Sequence, residues 1–214
     1  MSGIRAVLFD LDGVLVDATE WHYEALNRAL GLFGFDITRY EHLSSYNGLP
    51  TRKKLEMLSV EKGLPVPIHT MLNRLKQVYT RDEILTKCRP VFEKEYMLHR
   101  LKREGYRLAC CSNSIRETLE LMIRLSGVDP CFEFLMSNED VSAPKPDPEV
   151  YVKAMARLGL PPAAVLIVED APHGIEAARR SGAHVCPVGG FGDVDYFRIR
   201  AAIDRADRET RLVA

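Results

Sequence analysis

Short apolar runs alternate along this chain with longer stretches in which apolar positions recur every three or four residues. The short runs are Arg5–Phe9, Arg107–Cys111, Phe132–Met136, Ala164–Val168 and Ala183–Val188, and each reads as a strand. Between them Tyr96/Leu101, Ile115/Leu119/Met122/Ile123, Val150/Tyr151/Ala154/Met155/Leu158 and Ile175/Ala178 keep helical spacing. Strand followed by helix, repeated, predicts an α/β fold: a doubly wound, Rossmann-like parallel sheet of five strands with crossover helices. The long interval between the first two strands breaks this rhythm. Trp21, Ala25, Leu26, Ala29, Leu30 and Phe33 fall on one helical face, as do Ile68, Met71, Leu72, Leu75, Val78 and Tyr79. A shorter helix carrying Leu55 and Leu58 is expected to begin near Thr51, placed as its N-cap after Pro50. The pattern predicts a helical cap domain at residues 17–86 inserted into a core made of residues 1–16 and 87–214.

Composition narrows the classes. The 214 residues are 46% hydrophobic and 28% charged, with a formal net charge of −1, which matches neither a disordered chain nor a protein that holds polyanions by a basic excess. No nucleic-acid partner is expected. The longest purely apolar run, Ala163–Val168, is far short of the roughly 20 residues of a membrane-spanning helix, so no membrane association is expected either. The first residues lack the apolar stretch of a secretory signal, and a cytoplasmic protein is expected. Five cysteines, Cys88, Cys110, Cys111, Cys131 and Cys186, without a C-x-x-C pair, point to neither a disulfide framework nor a zinc site. Buried thiols are expected.

Ligands of open α/β sheets bind at the carboxyl ends of the strands, so the residues that follow each apolar run are the ones to inspect. The first run ends in Asp10-Leu11-Asp12-Gly13, the second in Ser112-Asn113 and the fourth in Glu169-Asp170, while Lys145 lies among prolines in Pro144-Lys145-Pro146-Asp147-Pro148. Polar and charged groups thus converge on one edge. In extended chain the side chains of Asp10 and Asp12 share a face, where one carboxylate can attack a phosphoryl group while the other protonates the leaving oxygen. A calcium-loop reading fails, because Val14 stands where such a loop needs a ligand and Gly13 comes two positions before the loop's glycine. Glu169-Asp170 add carboxylates that repel one another and call for a cation, and oxygen-only ligands favour Mg²⁺. Ser112-Asn113 offer a hydroxyl and N–H groups to an anion, and Lys145 a point charge. Each has a plainer alternative as a helix cap or a solvated loop residue.

These four motifs, in this order and spacing, resemble the haloacid dehalogenase superfamily, in its subfamily with a helical cap. The resemblance implies that Asp10 is a nucleophile forming an aspartyl-phosphate and Asp12 a general acid and base. It implies Mg²⁺ bound by the Asp10 carboxylate, the Asp12 main-chain carbonyl and Asp170, with Glu169 direct or one step removed, and Ser112, Asn113 and Lys145 on the phosphoryl oxygens. An acid at position 12 together with Asp170 favours phosphoryl transfer over dehalogenation. A phosphonate-cleaving relative would need an imine-forming cap lysine, for which Lys53, Lys54 and Lys76 are candidates. The stretch from Phe191 to Ala214 fits the pattern less well.

Within the cap, His22 resembles the hinge histidine of β-phosphoglucomutases, and Arg52, after Gly48, resembles their arginine for the distal phosphate. Ala18 stands where those mutases carry Thr. Trp21, Tyr46, Asn47, Arg52 and Lys76 are candidate substrate contacts, with Trp21 alternatively in the helix core. The expected activity is Mg²⁺-dependent hydrolysis of a small phosphorylated metabolite, with a sugar phosphate as the class, by a monomer or homodimer. A phosphomutase and a catalytically silent binding protein are the rivals.

Overall fold

The computed structural model describes residues 3–213. The chain forms two units, Met1–Asp17 with Arg89–Ala214, and Ala18–Cys88. The first unit holds five parallel strands, β1 Ala6–Phe9, β2 Arg107–Cys111, β3 Phe134–Met136, β4 Val165–Glu169 and β5 His184–Pro187, in the order β3-β2-β1-β4-β5. The chain therefore steps outward from β1 through β2 to β3, then returns to the other flank of β1. That reversal between β1 and β4 is the switch point where open α/β sheets bind ligands. Register brings the chemistry together: Phe9 pairs with Cys110 on one side and Val168 on the other, so Asp10 leaves the sheet beside Cys111 and Glu169.

Helices of the second unit are α1 Thr19–Gly31, α2 Arg39–Glu41, α3 Thr51–Lys62 and α4 His69–Lys87, with a π-helical turn at His42–Tyr46. Those of the first are α5 Phe92–Arg103, α6 Arg116–Leu125, α7 Glu149–Leu158, α8 Pro172–Arg180 and α9 Tyr196–Val213. β1 is wholly buried, and its Ala6 and Leu8 join Tyr151, Ala154 and Met155 of α7 and Ala177 and Ala178 of α8 in one core. A second core in the helical unit gathers Leu26, Leu30, Ile37, Tyr46, Leu55, Leu58 and Leu72. Among the described residues no helix is long and apolar enough to cross a membrane. All five cysteines are buried free thiols.

Several boundaries differ from the sequence expectation, each for a local reason. β3 starts at Phe134 instead of Phe132, because Asp129–Cys131 close a 3₁₀ turn into which Phe132 N–H donates. Glu169 is the last residue of β4, not the first beyond it, and its carbonyl accepts from Val188 N–H. Thr51 is the first residue inside α3. Pro50 takes the N-cap position, since Lys54 N–H closes on the Pro50 carbonyl. On α4 the buried line is Leu72, Lys76, Thr80 and Ile84, spaced by four, while Met71 and Val78 are exposed. The segment after Phe191 belongs to the core: Ile199, Ile203 and Ala206 of α9 are buried, and Lys94 of α5 donates to the carbonyls of Phe191 (2.6 Å) and Val194.

Candidate active site

At the carboxyl edge of β1, β2 and β4 the Lys145 ammonium is buried and makes three hydrogen bonds. It donates to Asp10 Oδ1 at 2.7 Å, Glu169 Oε1 at 2.6 Å and the Cys111 carbonyl at 2.8 Å. The lysine arrives from the Pro-rich loop before α7 and is clamped there by Asn113. That side chain accepts from Lys145 N–H at 3.0 Å and donates to the Lys145 carbonyl at 3.3 Å. The Asn113 amide thus holds the lysine's main chain through both its oxygen and its nitrogen. Ser112 is buried, its Oγ accepts from Ser114 N–H at 3.0 Å, and its hydroxyl proton stays available to an acceptor. Neither residue caps α6, whose N-cap position is Ile115.

β1 ends at Phe9, and the following chain does not stay extended. The Leu11 carbonyl accepts from both Leu15 and Val16 N–H at 2.9 Å, closing a tight turn. Asp12 comes out of that turn half-buried, with Oδ2 accepting from Ser114 Oγ at 2.9 Å. Ser114 was not singled out in the sequence, where a serine before a helix has no mark of chemistry.

Asp10, Glu169 and Asp170 each offer a carboxylate oxygen within 4.8 Å of one another. Burial, then the neighbouring Glu169, push the Asp10 carboxyl well above its usual range, against the pull of Lys145. Burial, then Glu169 and Asp12, push Asp170 up to about 7. Burial pulls the Lys145 ammonium down, but Asp10 and Glu169 together outweigh it and hold it protonated. One ammonium among this many acids leaves an excess of negative charge. Asp170 Oδ1 is buried without a hydrogen-bond partner, an unmet demand that a cation would satisfy. An all-oxygen donor set of this kind fits a hard divalent ion such as Mg²⁺.

Gly13 makes room for this arrangement: its φ is +81°, and a Cβ there would overlap the Asp170 carboxylate. Gly13→Ala is therefore expected to displace Asp170 and weaken divalent-cation binding by at least about 10-fold. Calorimetric Mg²⁺ titration checks this, and an unchanged affinity would show that Asp170 is not a ligand.

Residues 7–188 match the model of the haloacid dehalogenase-like hydrolases. The chain belongs to that family. It is 30% identical over 182 residues to a phosphorylated carbohydrates phosphatase of Thermotoga maritima, covering 84% of this chain and 82% of the relative. It is 29% identical over 180 residues to the pyrophosphatase PpaX of Bacillus velezensis, covering 84% and 80%. A crystal structure of β-phosphoglucomutase from Clostridium difficile shares the fold, with a TM-score of 0.84 at 20% identity over 98% of this chain and 99% of that one.

The helical unit of this haloacid dehalogenase-like hydrolase brings together some of its expected site residues and separates others. Lys76 is buried, with Nζ 3.2 Å from His22 Nδ1. Gly48 has φ +75° in the turn ahead of α3. Arg52 has a side chain that is 89% exposed and pairs with Glu56 at 3.1 Å, one turn along α3. Lys54, on another face of the same helix, is buried instead. Tyr46 is fully buried in the helical unit's core with its hydroxyl on Glu61, so it offers no aromatic wall to a ligand. Trp21 is half-buried and outside that core. Of the lysines considered for imine chemistry, Lys53 is exposed near Glu56, whereas Lys54 and Lys76 are buried. His42, also missed, is buried and pushed down to about 4 by burial and then by Lys54. Nothing in the sequence distinguishes it from a surface histidine.

Proposed function

We propose that this hydrolase is a Mg²⁺-dependent phosphatase that cleaves a small phosphomonoester, a sugar phosphate by class, through an aspartyl-phosphate on Asp10. The observation that carries the reading is the buried Lys145 bridge from Asp10 to Glu169, set beside Asp170 with its unsatisfied Oδ1. The names of the phosphatase relatives support the same class.

In the first half-reaction an Asp10 carboxylate oxygen attacks phosphorus, the bond to the leaving oxygen breaks, and the Asp12 carboxyl gives that oxygen its proton. In the second, Asp12 takes a proton from water, the water oxygen attacks phosphorus, and the Asp10–phosphorus bond breaks to release phosphate. Lys145 favours the ionised form of the attacking carboxylate against burial and Glu169 and, with Ser112, meets charge on the phosphoryl oxygens, while Asn113 fixes the lysine's main chain. Ser114 holds Asp12 by its Oδ2. Asp10, Asp170 and the Asp12 carbonyl, with Glu169 beside them, would hold Mg²⁺. When bound, the ion offsets the repulsion between an anionic nucleophile and an anionic phosphoryl group. His22 and Lys76 are proposed as the cap's recognition groups for the rest of the substrate.

A panel of sugar phosphates, polyol phosphates and pyrophosphate with Mg²⁺, read for both phosphate and isomerised sugar phosphate, tests the reading. Phosphate without isomer is expected. Isomer without phosphate would replace hydrolysis by mutase chemistry.

A further inference from the structure

Tyr151 is a member of the apolar stripe of α7 in the sequence, yet its hydroxyl reaches into the acidic cluster. The side chain is fully buried, and Oη donates to Glu169 Oε1 at 2.6 Å. Lys145 Nζ donates to that same oxygen at 2.6 Å and stands 4.9 Å from the Tyr151 ring centroid. The other oxygen, Oε2, accepts from Asp170 N–H at 3.2 Å. On a further side the α8 backbone closes in at Gly174, where a Cβ would overlap the carboxylate.

A carboxylate has about four acceptor positions, two on each oxygen. On Glu169 those of Oε1 are filled by a hydroxyl and an ammonium, and turning the fully buried carboxylate would break both bonds at once. Oε2, with one donor, is the oxygen that keeps capacity for a cation. We propose that Tyr151 is a positioning residue, whose hydroxyl acts with Lys145 to lock Glu169 so that Oε2 is presented to the divalent ion shared with Asp10 and Asp170. The proposal rests on reading the acidic cluster as a Mg²⁺ site.

Tyr151→Phe removes the hydroxyl and keeps the ring. Calorimetric titration of metal-free parent and variant with Mg²⁺ is expected to show the variant's Kd raised by about 10-fold. At saturating Mg²⁺ its kcat should return to within about twofold of the parent, since no reacting atom is touched. In a Glu169→Gln background the same change should add less than about twofold to the Mg²⁺ Kd, because the hydroxyl acts through Glu169. A Kd unchanged by Tyr151→Phe, with or without a lower Tm, would reduce Tyr151 to packing and overturn the proposal alone. A parent that binds no Mg²⁺ would overturn the cation-site reading and this proposal with it.

Discussion

Asp10→Asn is expected to lower phosphate release by at least about 10⁴-fold while leaving the fold and its thermal midpoint nearly unchanged. The amide replaces a nucleophilic oxygen by a poor one, and no other carboxylate can take its place. Asp12 is directed onto Ser114 Oγ, and Glu169 is bonded to Lys145 and Tyr151. Structural damage is not expected, because the amide oxygen can still accept from Lys145 Nζ, now 2.7 Å from Asp10 Oδ1, and one of several crowded acids is removed. Steady-state turnover paired with thermal melting separates the two effects. Retention of more than about 1% of parental turnover would move the nucleophile elsewhere.

Lys145→Met is expected to damage both stability and turnover. Its ammonium is the cation that neutralises Glu169, which is completely buried, and it also pairs with Asp10. Removing one partner of such a cluster leaves buried charge uncompensated, and the expected loss is about 3 kcal/mol at neutral pH. The sign of its pH dependence follows from linkage. Without the lysine, the folded-state pKa of Asp10 rises further above its unfolded value, because the one attractive charge that opposes burial is gone. The variant's deficit should shrink as pH falls and a proton replaces the missing charge, and grow as pH rises through the raised folded-state pKa of Asp10. Denaturant unfolding between acid and neutral pH measures this. Turnover should fall by at least about 10²-fold, from loss of transition-state charge stabilisation. A neutral-pH stability within about 1 kcal/mol of the parent would show that the carboxylates share protons well enough without an ammonium.

The strand runs and the residues at their ends were legible because two simple regularities govern them. Parallel strands are short and apolar, and polar side chains tolerated immediately after such strands sit at one sheet edge. Asp10, Ser112, Glu169 and Asp170 follow from that rule, and the register of β1 with β2 and β4 turns sequence adjacency to a strand end into spatial adjacency. What the rule misses is polar function inside an apolar stripe. Tyr151 occupies a helix position that any large apolar residue would fill, and only the fold brings its hydroxyl to Glu169. Lys76 and Lys54 sit on buried helix faces where charge is not expected, whereas Arg52, the more conspicuous cation, lies on a solvated face of α3 against Glu56. Asn113 illustrates a different limit. Its residue type suits an anion site and a loop clamp equally, and only the fold shows the clamp, because Lys145 lies far along the chain.

The central claim is that phosphorus becomes covalently attached to Asp10. Borohydride reduces an acyl-phosphate to an alcohol, so quenching the enzyme during turnover of a phosphomonoester and mapping its peptides by mass spectrometry reports the residue directly. The account predicts homoserine at position 10, dependent on both substrate and Mg²⁺ and absent from Asp10→Asn. Turnover that proceeds with Asp10 unmodified, or with the reduced residue elsewhere in the chain, would contradict it.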